Sequence, residues 1–324
     1  MQRGASEILN RYAPDFPSRH QGRLMTDTTE FMAIDYGDVI ALGGRHYLVL
    51  RDEVERRFGL EDPKYWVKRC RELETGERKI LKLAFYEQFP LQLGEFKILC
   101  HRSPEKEARI LTLVRDDWRF MQGVPVFDSK RNVVRVIDLI RGKRIDDVVD
   151  DIDVDHRTYF FQYLPDILKG FIGAAEAIGA LHTRWEKHGD IRRDHLWVEH
   201  ETGRYRWIDF DYAFDFQENP FGLDIFGLGN ILLFLVGKGE HTRQTLEQGC
   251  FPEAVVASLT NDDYALMYGN RLANLGKLFP YIPIRLNRVL MHFSSATDVF
   301  YEYVDELLDD LRPALNDILE MAQH

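Results

Sequence analysis

HGDIRRDHLWVE at residues 188–199, with WIDFD after it at 207–211, carries more information than any other part of the chain. Two acids, Asp190 and Asp209, stand 19 residues apart, and each ends or follows a short apolar strand. Glu201–Gly203 supply a turn between candidate strands at Leu196–Val198 and Tyr205–Ile208. A β-hairpin there brings both acid-bearing loops to one edge. One carboxylate can then take a hydroxyl proton and the other can hold a divalent cation. Phosphoryl transfer needs such a pair, because positioning and charge neutralisation supply most of its rate.

Working outward, Ile167–His182 repeats apolar residues at helical spacing, with Gly170, Gly173 and Gly179 among the small residues that permit close packing. Phe221–Val236 predicts a buried helix, since its apolar run is shorter than the roughly 20 residues that span a bilayer. The remainder to the C-terminus reads as several helices. Upstream the texture is strand-rich. GDVIALGGRHYLVLRDE, from Gly37, predicts two strands joined at Gly43-Gly44. Tyr65–Cys70 and Lys79–Phe85 alternate apolar and polar residues about a turn at Thr75-Gly76. SPEKEARILTLVRDDW predicts a helix capped by Ser103 with Pro104 in its first turn. Val124–Phe127 and Val133–Leu139 follow as strands. The acidic run Asp146–Asp155 reads as a solvated helix start.

Composition bounds the class. The 324 residues are 45% hydrophobic and 29% charged, which is globular and enough for two domains. Lys and Arg number 42 against 53 Asp and Glu, a net charge of −11, so the expectation is no general nucleic-acid binding, with room left for a local basic patch. Three widely spaced cysteines (Cys70, Cys100, Cys250) give neither a disulfide framework nor zinc spacing, and the expectation is a reducing, cytoplasmic setting without a membrane span. The N-terminus lacks the apolar stretch of a signal peptide.

The two quoted segments resemble the catalytic loop and metal-binding motif of the protein kinase superfamily, written there HxDxKxxN and DFG. Other blocks are similar in order: TGERKILKLAF places Lys82 at the nucleotide-binding lysine, KEARIL places Glu107 at the helix glutamate, and VIDLIRGKRIDDV resembles the hinge. DIFGLGNILLFLVGKG, from Asp224, resembles the DxWSLG helix, and the closing helices resemble those of eukaryotic-like Ser/Thr kinases. The resemblance runs from about residue 37 to 312. It implies an α+β bilobal fold: an extension at 1–36, a small β-rich lobe with one main helix at 37–141, and a larger helical lobe at 142–324. It also implies ATP and a Mg²⁺ or Mn²⁺ ion as cofactors, and a protein substrate or regulatory partner.

By the same resemblance, Lys82 holds the α- and β-phosphates and pairs with Glu107. Ile137 is the gatekeeper, and Asp138 to Ile140 offer backbone to the adenine. Asp190 orients the acceptor hydroxyl and takes its proton, Arg192 neutralises the γ-phosphate, and Asp209 binds the metal. Asp224 holds the catalytic loop, while Leu111, Phe210 and His188 stack as a spine.

Three departures stand out. The glycine-rich loop is replaced by the longer, charged RDEVERRFGLEDPK, with Gly59 alone and Arg56 or Arg57 as candidate substitutes. The second metal ligand, Asn in the family, is His195; imidazole suits softer ions such as Mn²⁺ better than Mg²⁺. Asp224 comes only 15 positions after Asp209, and Asp211 stands where the family has Gly. HGD and the short segment resemble the aminoglycoside-kinase branch. The leading expectation is an ATP-dependent phosphotransferase acting on Ser/Thr of proteins; the alternatives are a small-molecule kinase and a pseudokinase that binds without transferring.

Overall fold

The computed structural model describes residues 4–57, 60–93, 96–216 and 219–322. It is mixed α+β, with a curled β-sheet N-terminal region and a helical C-terminal part. Two compact units divide it: Met1–Glu87 with His101–Ile140, and Gln88–Cys100 with Arg141–His324.

The chain begins with helix α1 (Ala5–Tyr12) and strands β1 (Leu24–Met25), β2 (Val39–Leu42), β3 (Arg45–Arg57), β4 (Leu60–Glu72) and β5 (Arg78–Lys82). Strands β6 (Gln88–Leu93) and β7 (Phe96–Arg102) come next, then α2 (Pro104–Leu113), β8 (Gly123–Phe127) and β9 (Val133–Asp138). The first unit holds a seven-stranded sheet in the order β1-β2-β3-β4-β5-β9-β8. Gly43 and Gly44 both have positive φ, 58° and 81°, as a two-residue hairpin turn twisted to match its strands requires. Ser103 caps α2 by accepting a hydrogen bond from the Lys106 amide. On the sheet, Ile40, Val49, Leu81 and Val136 form one apolar layer. Ile8 and Leu9 of α1 pack on Val39, Leu48 and Leu73, which ties the N-terminal residues to the sheet.

The stretch expected to be a long charged loop is instead two strands. β3 and β4 run 13 residues each, held by Lys68–Asp52 at 2.6 Å, Arg69–Glu53 at 2.5 Å and Lys64–Glu55 at 3.2 Å. Opposite charges facing across an antiparallel ladder favour pairing, so charge content here signals strand and not loop. Gly59 and the side chains of Arg56 and Arg57 lie outside the described residues.

The second unit continues with β10 (Gly142–Arg144), α3 (Ile145–Asp150), α4 (His156–Gln162), α5 (Leu164–His182), β11 (Leu196–Glu199), β12 (Tyr205–Trp207) and β13 (Tyr212–Phe214). Helices α6 (Gly222–Gly237), α7 (Arg243–Thr245), α8 (Glu253–Ala257), α9 (Ile284–Met291) and α10 (Val304–Met321) complete it. The hairpin β6–β7, which the sequence reading did not assign, joins β13 in a three-stranded sheet with β6 at the edge, the position where sheets tolerate a proline such as Pro90. Phe89 meets Tyr212 edge to face at 5.4 Å, fixing that sheet's side chains. Helix α6 is buried along nearly its whole length and α5 packs on α6 and α10. A Cβ on Gly170 would lie 2.3 Å from the Tyr205 ring, so close packing there does depend on the missing side chain, whereas Gly173 has open space. Among the described residues no helix is long and apolar enough to cross a membrane.

Candidate active site

In the second unit, the turn from His188 to His195 is built on one buried carboxylate. Asp224, in the first turn of α6, accepts hydrogen bonds from the backbone amides of His188 (2.7 Å) and Gly189 (2.8 Å) and from His182 Nε2–H (3.0 Å). Gly189 turns the chain at φ 87°, which glycine adopts without strain. Gly227 brings α6 against Ile191, whose side chain would lie 2.6 Å from a Cβ there. Burial pushes the Asp224 carboxyl up, but the His182 hydrogen bond, the nearby His182 and His188 rings and the Gly189 amide together bring it below the usual carboxylate range. Its stabilisation is therefore present above the unfolded aspartate pKa of about 4 and is lost as pH falls. Asp224→Asn puts an NH₂ group against these donors. Unfolding free energy is expected to drop by about 3 kcal/mol. Urea denaturation at neutral pH measures it, and a loss below about 1 kcal/mol would contradict the structural role.

The hairpin of β11 and β12 pairs Leu196 with Trp207 in antiparallel register, and the Ile208 amide donates to the His195 carbonyl. This sets His195 beside both acids. Its ring is buried, with Nδ1 2.9 Å from the Asp190 carbonyl and 3.4 Å from the Asp190 carboxylate. A carbonyl only accepts, so Nδ1 carries a proton. In the neutral ring Nε2 is then the lone-pair nitrogen, and it faces the Asp209 carboxylate at 3.6 Å. The carbonyl on Nδ1 fixes the tautomer and orientation of the ring. Asp209 has φ 61°, uncommon for a non-glycine residue and costly to hold. Among the described residues no group of three or more His, Cys, Asp or Glu side chains forms a metal-ligand set.

The Asp190 carboxyl is held above its ordinary value by its surroundings. Burial raises its pKa, His195 and Arg192 pull it down, and Asp209 and Asp211 push it up again, leaving it above the ordinary value. Arg192 grips Asp194 with two hydrogen bonds, Nε at 2.9 Å and Nη2 at 2.6 Å, so its fork is directed at a neighbouring carboxylate. His188 is fully buried and meets Phe210 edge to face at 5.9 Å; Leu111 lies in the other unit.

In the first unit, Lys82 Nζ lies 2.7 Å from Glu107 Oε1, and both side chains are almost wholly buried. Register places Lys82 directly opposite Arg135 on β9. Arg135, also fully buried, reaches the second carboxylate oxygen, Nε to Oε2 at 2.9 Å. Nothing in the sequence reading singled out Arg135. Its signal was a lone arginine inside the apolar run VVRVI, a placement that requires a buried anion. Asp138 ends β9, its side chain 2.7 Å from Lys79 Nζ and its amide donating to the Gln122 carbonyl at 2.9 Å, so that N–H already has an acceptor. Ile137 is buried, and Ile140 is the last residue of this unit.

No protein-family model and no curated protein matches the chain. Among solved structures, it is similar to the kinase domain of PknI from Mycobacterium tuberculosis, 14% identical over 84% of this chain and 96% of that chain, with a TM-score of 0.46. Two substituted forms of the same domain, each 13% identical, cover 84% and 85% of this chain and 96% of theirs at TM-scores of 0.48 and 0.47.

Proposed function

We propose that the protein is an ATP-dependent phosphotransferase that moves the γ-phosphate to a hydroxyl, with Ser/Thr of a protein as acceptor. The observation that carries this reading is the His195 arrangement, one imidazole in contact with a carboxylate whose pKa is raised and with a second held in strained backbone. Asp190 acts as the base, Asp209 and His195 hold the cation, and Lys82, braced by Glu107, meets the nucleotide phosphates. A nitrogen and a carboxylate donor fit an ion that completes its shell with phosphate oxygens and water. When bound, such an ion neutralises charge on the phosphates.

Because one donor is imidazole, ATP is expected to bind more tightly with Mn²⁺ than with Mg²⁺. Thermal-shift titration with each ion checks this, and an equal or reversed preference counts against His195 as a ligand. The acceptor class is tested by following labelled γ-phosphate into protein and into a panel of hydroxyl metabolites. Label in protein supports the Ser/Thr reading; label only in a metabolite favours a small-molecule kinase. The two-point grip of Asp194 on Arg192 favours a second reading, a nucleotide-binding module without transfer, since it ties up a cation assigned to the γ-phosphate.

A further inference from the structure

Lys82 and Arg135 face each other across adjacent antiparallel strands, two buried cations on one face of the sheet. Like charges directly opposite in a ladder repel, and burial removes the water that would screen them. Glu107, from α2, divides its carboxylate between them, Oε1 to Lys82 at 2.7 Å and Oε2 to Arg135 at 2.9 Å. Arg135 is itself fixed, because Nη1 donates to the carbonyls of Leu83 (3.1 Å) and Val133 (3.2 Å). Moving α2 off the sheet would therefore strip the shared anion from two cations at once, and one of them is bound to the sheet backbone and cannot follow.

We propose that Arg135 is a positioning residue that clamps α2 through Glu107, so that Lys82 is presented in its binding geometry without any ligand or partner. The role of Lys82 rests on the phosphotransferase reading; the clamp itself does not. In the full chain without nucleotide, hydrogen exchange of the α2 amides from Glu107 to Leu113 reports the clamp. Arg135→Met is expected to speed that exchange by about tenfold while β2 and β3 keep their protection. Arg135→Lys, which retains one cation for Glu107, is expected to recover most of it. Unchanged α2 exchange, acceleration spread evenly over the whole sheet, or a Lys variant no better than Met would overturn the clamp. If Arg135→Met does not fold, Arg135→Lys decides: a smaller acceleration confined to α2 supports the clamp, and no change or a sheet-wide change sinks it. A parallel readout is the nucleotide KM, expected to rise about tenfold in Arg135→Met with kcat less affected. If the wild type binds no nucleotide but α2 still loosens in the variant, the phosphotransferase reading fails and the clamp stands.

Discussion

Asp190→Asn is expected to lower phosphate transfer by roughly 10²–10⁴-fold while leaving nucleotide affinity nearly unchanged. The substitution keeps the shape of the side chain and removes only its capacity to take a proton. The Asp190 carbonyl, which anchors His195, is untouched, so the neighbouring pair with Asp209 persists. The pH profile supplies a second check. Burial and the acids Asp209 and Asp211 hold the Asp190 carboxyl above its ordinary value. A base must be deprotonated to work, so transfer should rise with pH through a limb lying above the ordinary aspartate pKa of about 4, and that limb should vanish in the variant. The same raised pKa means the folded state holds this proton more tightly than the unfolded chain. Asp190 therefore costs stability as pH rises through that window, as expected of a group retained for chemistry. Transfer by Asp190→Asn at the wild-type rate would rule out Asp190 as the base.

The largest effect on stability is expected from Glu107→Gln. The carboxylate and its two cationic partners are buried, at 0% side-chain exposure for Glu107 and Arg135 and 4% for Lys82. A neutral amide cannot balance either charge and presents an NH₂ group to one of the cationic donors. Removing one member of a buried ionic set costs about 3–5 kcal/mol, because the charges left behind are uncompensated. Unfolding by denaturant, followed by a probe in the first unit, measures this. A loss under about 1 kcal/mol would show that the triad is hydrated and not the buried unit described here.

Much of this arrangement was readable from the chain. The hairpin around Glu201–Gly203 was legible because apolar strands and a turn frame it, and the structure brings Asp190 and Asp209 into contact with the same histidine. The Lys82–Glu107 pair was legible only through the order of motif blocks, since a lysine in a strand and a glutamate on a helix are each ordinary alone. Arg135 was not legible, because its meaning comes from a register, Lys82 opposite Arg135, that no local pattern specifies. The β6–β7 hairpin was hidden by Pro90, which reads as a strand breaker until the strand is known to be an edge. The charged β3–β4 extension was misread because its charges pair between the two arms of one hairpin, and high charge content alone reads as loop.

The most direct test of the proposed activity is calorimetric titration of ATP with Mn²⁺ into the wild type, Lys82→Met and Asp209→Asn, at one pH and salt concentration. The expected result is binding by the wild type that falls by at least about tenfold in each variant, since one side chain serves the phosphates and the other their cation. Equal affinity in all three proteins, or no binding heat in the wild type, would contradict it.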